Sequence, residues 1–245
     1  MGTSRASAPA QRPRPRRRAL RLLLAVGITL GLVVGLVGLG VNVVLASRLD
    51  RIEGAFEGLD GRPAPAPGQT VLMVGTRPDG SGPDVPWLAG EQSVEAVMLI
   101  EIPPDGMSAR VQSLPQSSGI DPVVAASPPS ASVAAAEDWS GRRVDHLVAI
   151  DWRTFVRLAG DNGVDPAYAY GSGPAVQHDF LGRVLEGTLH AELRKQPLNL
   201  FRALLTTADG TAVDDGWSVI ELDGMVLSLR NLRSHEISFS MARPR

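Results

Sequence analysis

Cysteine is absent from the chain, which excludes a disulfide framework, a zinc–thiolate site and any thiol nucleophile. A domain of this size buries enough apolar surface to fold without such staples. Lysine is almost absent as well; Lys195 is the only one, and arginine carries the remaining positive charge. Aromatic residues make up 4%. Trp87, Trp139, Trp152 and Trp217 are too scattered to form a carbohydrate platform, so core packing is expected of them. There is no G-x-S-x-G elbow, no Walker loop and no H-x-x-x-H spacing among His178, His190 and His235. These absences remove serine hydrolases of the α/β class, P-loop nucleotide hydrolases and helical zinc sites.

Acidic residues are missing from residues 1–21, which hold seven arginines. The rest of the chain keeps 17 of the 24 basic residues against all 26 acids, a net of −9. A phosphate backbone is held by excess positive charge, so the acidic remainder argues against nucleic acid as a partner. Charged residues are also missing from residues 22–47, 26 positions dominated by Leu, Val, Ile, Ala and Gly. A spanning helix needs roughly 20 such residues. With arginines before it, the run reads as a transmembrane anchor, its tail cytoplasmic and its C-terminal domain extracytoplasmic. A cleaved signal ending near Val44-Leu45-Ala46 is the competing reading, but the apolar run exceeds the roughly 7–15 residues of a signal core. Gly27, Gly31 and Gly35 form overlapping GxxxG units, a pattern that permits homodimers in the membrane.

Four segments follow: a basic tail (1–21), a transmembrane helix (22–47), a juxtamembrane stretch with a Pro/Ala linker (48–68), and a folded domain (69–245). Within the domain, strands are expected at 69–75, 96–102, 109–114, 144–150 and 236–241. Residues 120–130 read as irregular and Pro-rich. Helices are expected at 132–139, at 152–159 behind an Asp151 cap, over 179–208 with a break at Pro197, and over 215–233. Strands alternating with helices give an α/β or α+β layered domain. Asp145 and His146 are adjacent on a strand and so point to opposite faces, which excludes an acid/base dyad. Gly171-Ser-Gly-Pro174 reads as a turn.

Several local strings resemble those of the LytR-CpsA-Psr family of envelope proteins. Val71-Leu-Met-Val-Gly-Thr76 is similar to the family's opening strand. Ser93-Val-Glu-Ala-Val-Met-Leu99 and Val111-Gln-Ser-Leu-Pro-Gln-Ser117 are similar to its R-S-D-T-M-M-L hairpin and the returning strand. The closest likeness is Val144-Asp-His-Leu-Val-Ala-Ile-Asp-Trp-Arg-Thr-Phe-Val-Arg-Leu158 with Gly163-Val164, set against I-D-H-Y-V-x-V-D-F-x-G-F-V-x-L. Arg194-Lys-Gln196 resembles the R-Q-Q helix. The resemblance implies a layered α/β/α domain with a mixed central sheet behind one transmembrane helix. It also implies transfer of a glycopolymer from a polyprenyl-pyrophosphate carrier to the wall, with arginines on the phosphates, Mg²⁺ on aspartate and an apolar cleft for the lipid.

The polar positions of that pattern are where this chain departs from it. The family's Arg and Asp in the hairpin are Ser93 and Glu95, the later Arg-Asp is Gln116-Ser117, and an arginine before the R-Q-Q string is Ala191. Arg77, Arg194 and Gln196 are left as phosphate ligands, and Glu95 with Asp79 as metal ligands. Losing one charge-assisted contact to a transferring group costs about 2.7–4 kcal/mol of barrier. Two readings follow: a LytR-CpsA-Psr-like protein binding a polyprenyl-linked glycan or lipid with reduced or no catalysis, and a non-catalytic scaffold for other envelope proteins.

Overall fold

The computed structural model describes residues 44, 47–78, 84–188, 203, 205–229 and 232–244. Seven strands form one mixed sheet: β1 (Asp50–Ile52), β2 (Gln69–Arg77), β3 (Ser93–Ile102), β4 (Ala109–Ser113), β5 (His146–Asp151), β6 (Thr211–Asp214) and β7 (Ile237–Met241). Their spatial order is β1-β6-β5-β2-β3-β4-β7. The β2–β3–β4 meander is antiparallel, β5 joins β2 in parallel, and β7 joins β4 in parallel. β2 is buried from Thr70 to Thr76 without alternation, as a central strand covered on both faces requires.

The two faces carry different helices. On one, Leu72, Val74, Val97 and Leu99 pack with Ile120, Val124, Val133 and Ala136, which lie on α1 (Ile120–Ala126) and α2 (Pro129–Ser140). On the other, Met73, Ala96 and Met98 pack with Trp152, Leu158, Phe180 and Val184 from α3 (Trp152–Asp161) and α4 (Pro174–Thr188). A fifth helix, α5 (Val219–Ser228), lays Leu222 and Met225 over a cluster of Val71, Val148, Val213 and Trp217. Asp151 caps α3 as expected, its carboxylate accepting the Arg153 N–H at 2.9 Å.

Three expectations are corrected. Residues 120–130 are not irregular: Pro122 falls in the first turn of α1 and Pro129 opens α2, where a missing N–H costs nothing. The folded domain does not begin at 69: within the juxtamembrane stretch β1 pairs with β6, and Ile52 and Ala55 are fully buried, while residues 62–68 form neither helix nor strand. Residues 215–233 are not one helix: Asp215 and Gly216 form a turn after β6, and α5 starts behind a capping box of Ser218 and Glu221. No helix among the described residues is long and apolar enough to cross a membrane. The apolar run, its glycines and the tail lie outside the described residues, apart from Val44 and Ser47.

Candidate functional site

Where β2 ends and β3 begins, the sheet opens into a cleft of about 430 Å³. Arg77 stands at the last position of β2 and Glu95 at the third of β3. The strand reaches this point through Gly75, where any Cβ would lie 2.7 Å from the buried Trp152 ring. A register shift between Gly75 and Thr76 follows, a bulge of the kind that re-aims a side chain beside a site.

Glu95 is the hub of the cleft. Its side chain is fully buried. One carboxylate oxygen accepts from Arg77 Nη1 at 3.2 Å and from the Gly171 N–H at 2.9 Å. The other accepts from the Tyr168 hydroxyl and, at 3.0 Å, from the same Gly171 N–H. Gln177 donates to the Glu95 carbonyl at 2.9 Å and to the Ser172 carbonyl at 2.8 Å, tying the start of α4 and its preceding loop to β3. Burial, and then the hydrogen bond to Glu95, push the Tyr168 phenol far above its usual range, so it stays a donor. Asp121, on the far wall, has its carboxyl pKa raised by burial. Ser113, also in the wall, shares a 2.7 Å hydrogen bond with His178 Nε2, whose pKa burial lowers.

Two sequence candidates, Arg77 and Glu95, therefore meet in one cleft, and they meet as each other's partner. Asp79, Arg194 and Gln196 lie outside the described residues. His146 stacks on Trp217 at 3.9 Å and shares a hydrogen bond with Asp214, while Asp145 accepts the Thr70 N–H. Trp152 and Trp217 are buried, and Trp87 and Trp139 pack on the core from its edge. Tyr168, Gln177, Ser113 and Asp121 escaped the sequence reading; the one signal toward them was Gly171-Ser-Gly-Pro174, read as a plain turn.

Of the two residues expected to hold Mg²⁺, Glu95 already accepts from three groups, one of them cationic, and Asp79 lies outside the described residues; among the described residues no group of three or more His, Asp or Glu could ligate a metal.

No known family model matches the sequence, and no curated protein matches it. Solved structures do. A LytR-Csp2A-Psr enzyme from Actinomyces oris superposes with a TM-score of 0.54 at 15% identity, covering 78% of this chain and 86% of that one. A protein from Streptococcus agalactiae gives 0.50 at 14% identity, covering 71% and 76%. The folded domain has the LytR-CpsA-Psr fold. At such identity the likeness carries the fold alone. The strings that resembled the family by sequence contribute to β2, β3, β4, β5 and α3, except Arg194-Lys-Gln196, which lies outside the described residues.

Proposed function

We propose that the protein is a membrane-anchored LytR-CpsA-Psr-like envelope protein that binds a polyprenyl-linked glycan or lipid in the Glu95 cleft and has lost most or all phosphoryl transfer. The observation that carries this reading is the Arg77–Glu95 pair. Arg77 is the one described arginine of the cleft, and its charge is already met by a fully buried carboxylate. A phosphate drawing Arg77 away would gain about 1.5–3 kcal/mol for a charged hydrogen bond. It would leave Glu95 buried and short of its cation, at about 3–5 kcal/mol. The internal pair wins, so Arg77 does not serve a transferring phosphate as a phosphotransferase's arginine must.

The basic tail and apolar run of residues 1–47 support an anchor with the domain outside the cell. Titration calorimetry of the detergent-solubilised full chain with an undecaprenyl-linked glycan, with and without Mg²⁺, tests the reading. Micromolar binding, insensitive to Mg²⁺ and without product release, is expected. Turnover, or binding that requires Mg²⁺, would overturn the lost-transfer reading. Absence of binding by a folded chain would favour the scaffold for other envelope proteins.

A further inference from the structure

The two edges of the sheet are protected differently. β1 closes one side with a short strand carrying Asp50 and Arg51. β7 closes the other with Ile237-Ser-Phe-Ser-Met241. It has no charge, no proline and no break in its register with β4. Charges, prolines and bulges are the devices by which an edge strand avoids pairing with another chain. β7 uses none of them, and Ser238, Ser240 and Met241 are exposed along it.

The alternation of a strand places its open backbone groups. Ala242 donates its N–H to the Ser113 carbonyl on β4 at 2.9 Å. Ser238 and Ser240 share that orientation, so Ile237, Phe239 and Met241 turn their backbone groups away from β4. The Ile237 N–H is taken by the Ser234 carbonyl. The N–H and C=O of Phe239, the N–H of Met241 and the C=O of Ile237 have no strand beside them among the described residues. Side chains alternate too: Ile237 and Phe239 pack on the α3 and α4 face, and the two serines point to the other.

This edge is complementary to itself. With a twofold axis through Phe239, an antiparallel second copy sets Phe239 opposite Phe239, Ile237 opposite Met241 and Ser238 opposite Ser240. Phe239 then exchanges both hydrogen bonds with its counterpart, and Met241 donates to Ile237. Apolar side chains meet apolar ones on one face and hydroxyls meet hydroxyls on the other, as stabilising cross-strand pairs do. Beyond the strand ends, exposed Arg243 comes beside Glu236 of the second copy, so opposite charges flank the pairing. An unrelated extended peptide would satisfy the backbone without matching both faces and the flanking charges.

We propose that two copies of this chain join β7 to β7, antiparallel about Phe239, into one continuous sheet. The proposal rests on neither the membrane anchor nor the cleft. In this register Ser238 and Ser240 of the second copy form a non-hydrogen-bonded pair with Cα atoms about 4.5 Å apart, within disulfide reach. Ser238 and its own counterpart lie beyond the roughly 7 Å limit. The chain has no cysteine to interfere. Full-length Ser238→Cys and Ser240→Cys proteins are purified in detergent, mixed, concentrated and oxidised with copper phenanthroline. The mixture is expected to yield a disulfide-linked dimer joining positions 238 and 240, identified by mass spectrometry of the linked peptide, and each variant alone is expected to stay unlinked. Adding Met241→Pro to both removes an outward N–H and leaves the bonds to β4 in place; the link should then be lost with the melting temperature unchanged. A folded mixture that forms no link, or links no better than either variant alone, overturns the proposal. A link that survives Met241→Pro overturns it as well.

Discussion

Arg62 grips the buried carboxylate of Glu137 through two nitrogens, Nε at 3.1 Å and Nη2 at 2.7 Å. Glu137 is 4% exposed at its side chain and also accepts the Val144 N–H at 2.8 Å. Arg62 closes the loop by donating to the Val144 carbonyl. The residues ahead of β2 are thus stapled to α2 and to the approach to β5. Arg62→Ala is expected to destabilise the protein by about 3–5 kcal/mol, because it strands a buried charge. Arg62→Ala combined with Glu137→Leu should cost less than Arg62→Ala alone. Urea denaturation measures both; a single variant within about 0.5 kcal/mol of wild type would mean the staple holds nothing.

The Arg77–Glu95 pair makes a prediction of opposite sign for binding and stability. Glu95→Gln keeps an acceptor for Gly171 but removes the charge that holds Arg77. Affinity for inorganic pyrophosphate should rise about tenfold, equivalent to 1.4 kcal/mol, while the melting temperature falls. Tyr168→Phe leaves the ion pair intact and removes one donor from Glu95. It should cost about 1–3 kcal/mol of stability without changing pyrophosphate affinity. A Glu95→Gln protein that binds pyrophosphate no better than wild type sinks the account of a neutralised arginine.

How much of this could be read from the chain follows from strand length and sequence distance. β2 and β3 announce themselves as long apolar runs, and Asp151 announces α3 by its capping chemistry. β1 and β6 are three and four residues long, too short for any periodicity to register. They form through pairing with each other and burial of Ile52, interactions across some 160 positions that local pattern does not encode. Ser218-x-x-Glu221 carried a readable start for α5, yet the apolar periodicity around it suggested a longer helix. In the cleft, Arg77 and Glu95 were legible as charged groups near strand ends. Their mutual pairing was not, because Tyr168, Gly171 and Gln177, which complete it, lie more than 70 residues further on.

Gly75 is fixed by contact rather than by backbone angle. Its φ is not positive, but a Cβ there would sit 2.7 Å from two carbons of the Trp152 ring. Trp152 is fully buried and packs edge-on against Phe155, so the ring has no free space to retreat into. Gly75→Ala is expected to cost about 1–3 kcal/mol by overpacking. Combined with Trp152→Phe, which shortens the obstructing ring, it should cost less than the sum of the two single changes. Strict additivity in denaturant melts would show that the clash is relieved elsewhere.

Asp121 sets a pH dependence whose sign is fixed by burial. Its folded-state pKa is raised above the ordinary 3.8 because the cleft wall desolvates the carboxylate. The folded protein therefore holds the Asp121 proton more tightly than the unfolded chain does. The contribution to stability is fully present below pH 3.8 and is lost as pH rises through the folded-state value. At pH 7 the charged form is a net burden on the fold, and Asp121→Asn removes it. The variant should melt higher than wild type at pH 7, with the difference shrinking as pH falls and vanishing below the unfolded pKa. His178 supplies the contrast: its pKa is lowered by burial, so its contribution is present above 6.5 and lost as pH falls through the folded-state value. His178→Gln should therefore soften the loss of stability on the acid side of 6.5 without the neutral-pH gain of Asp121→Asn. Melting curves of the two variants across pH 3–8 separate these effects. An Asp121→Asn protein that melts no higher than wild type at pH 7 would mean the carboxylate is held by a partner that offsets its burial.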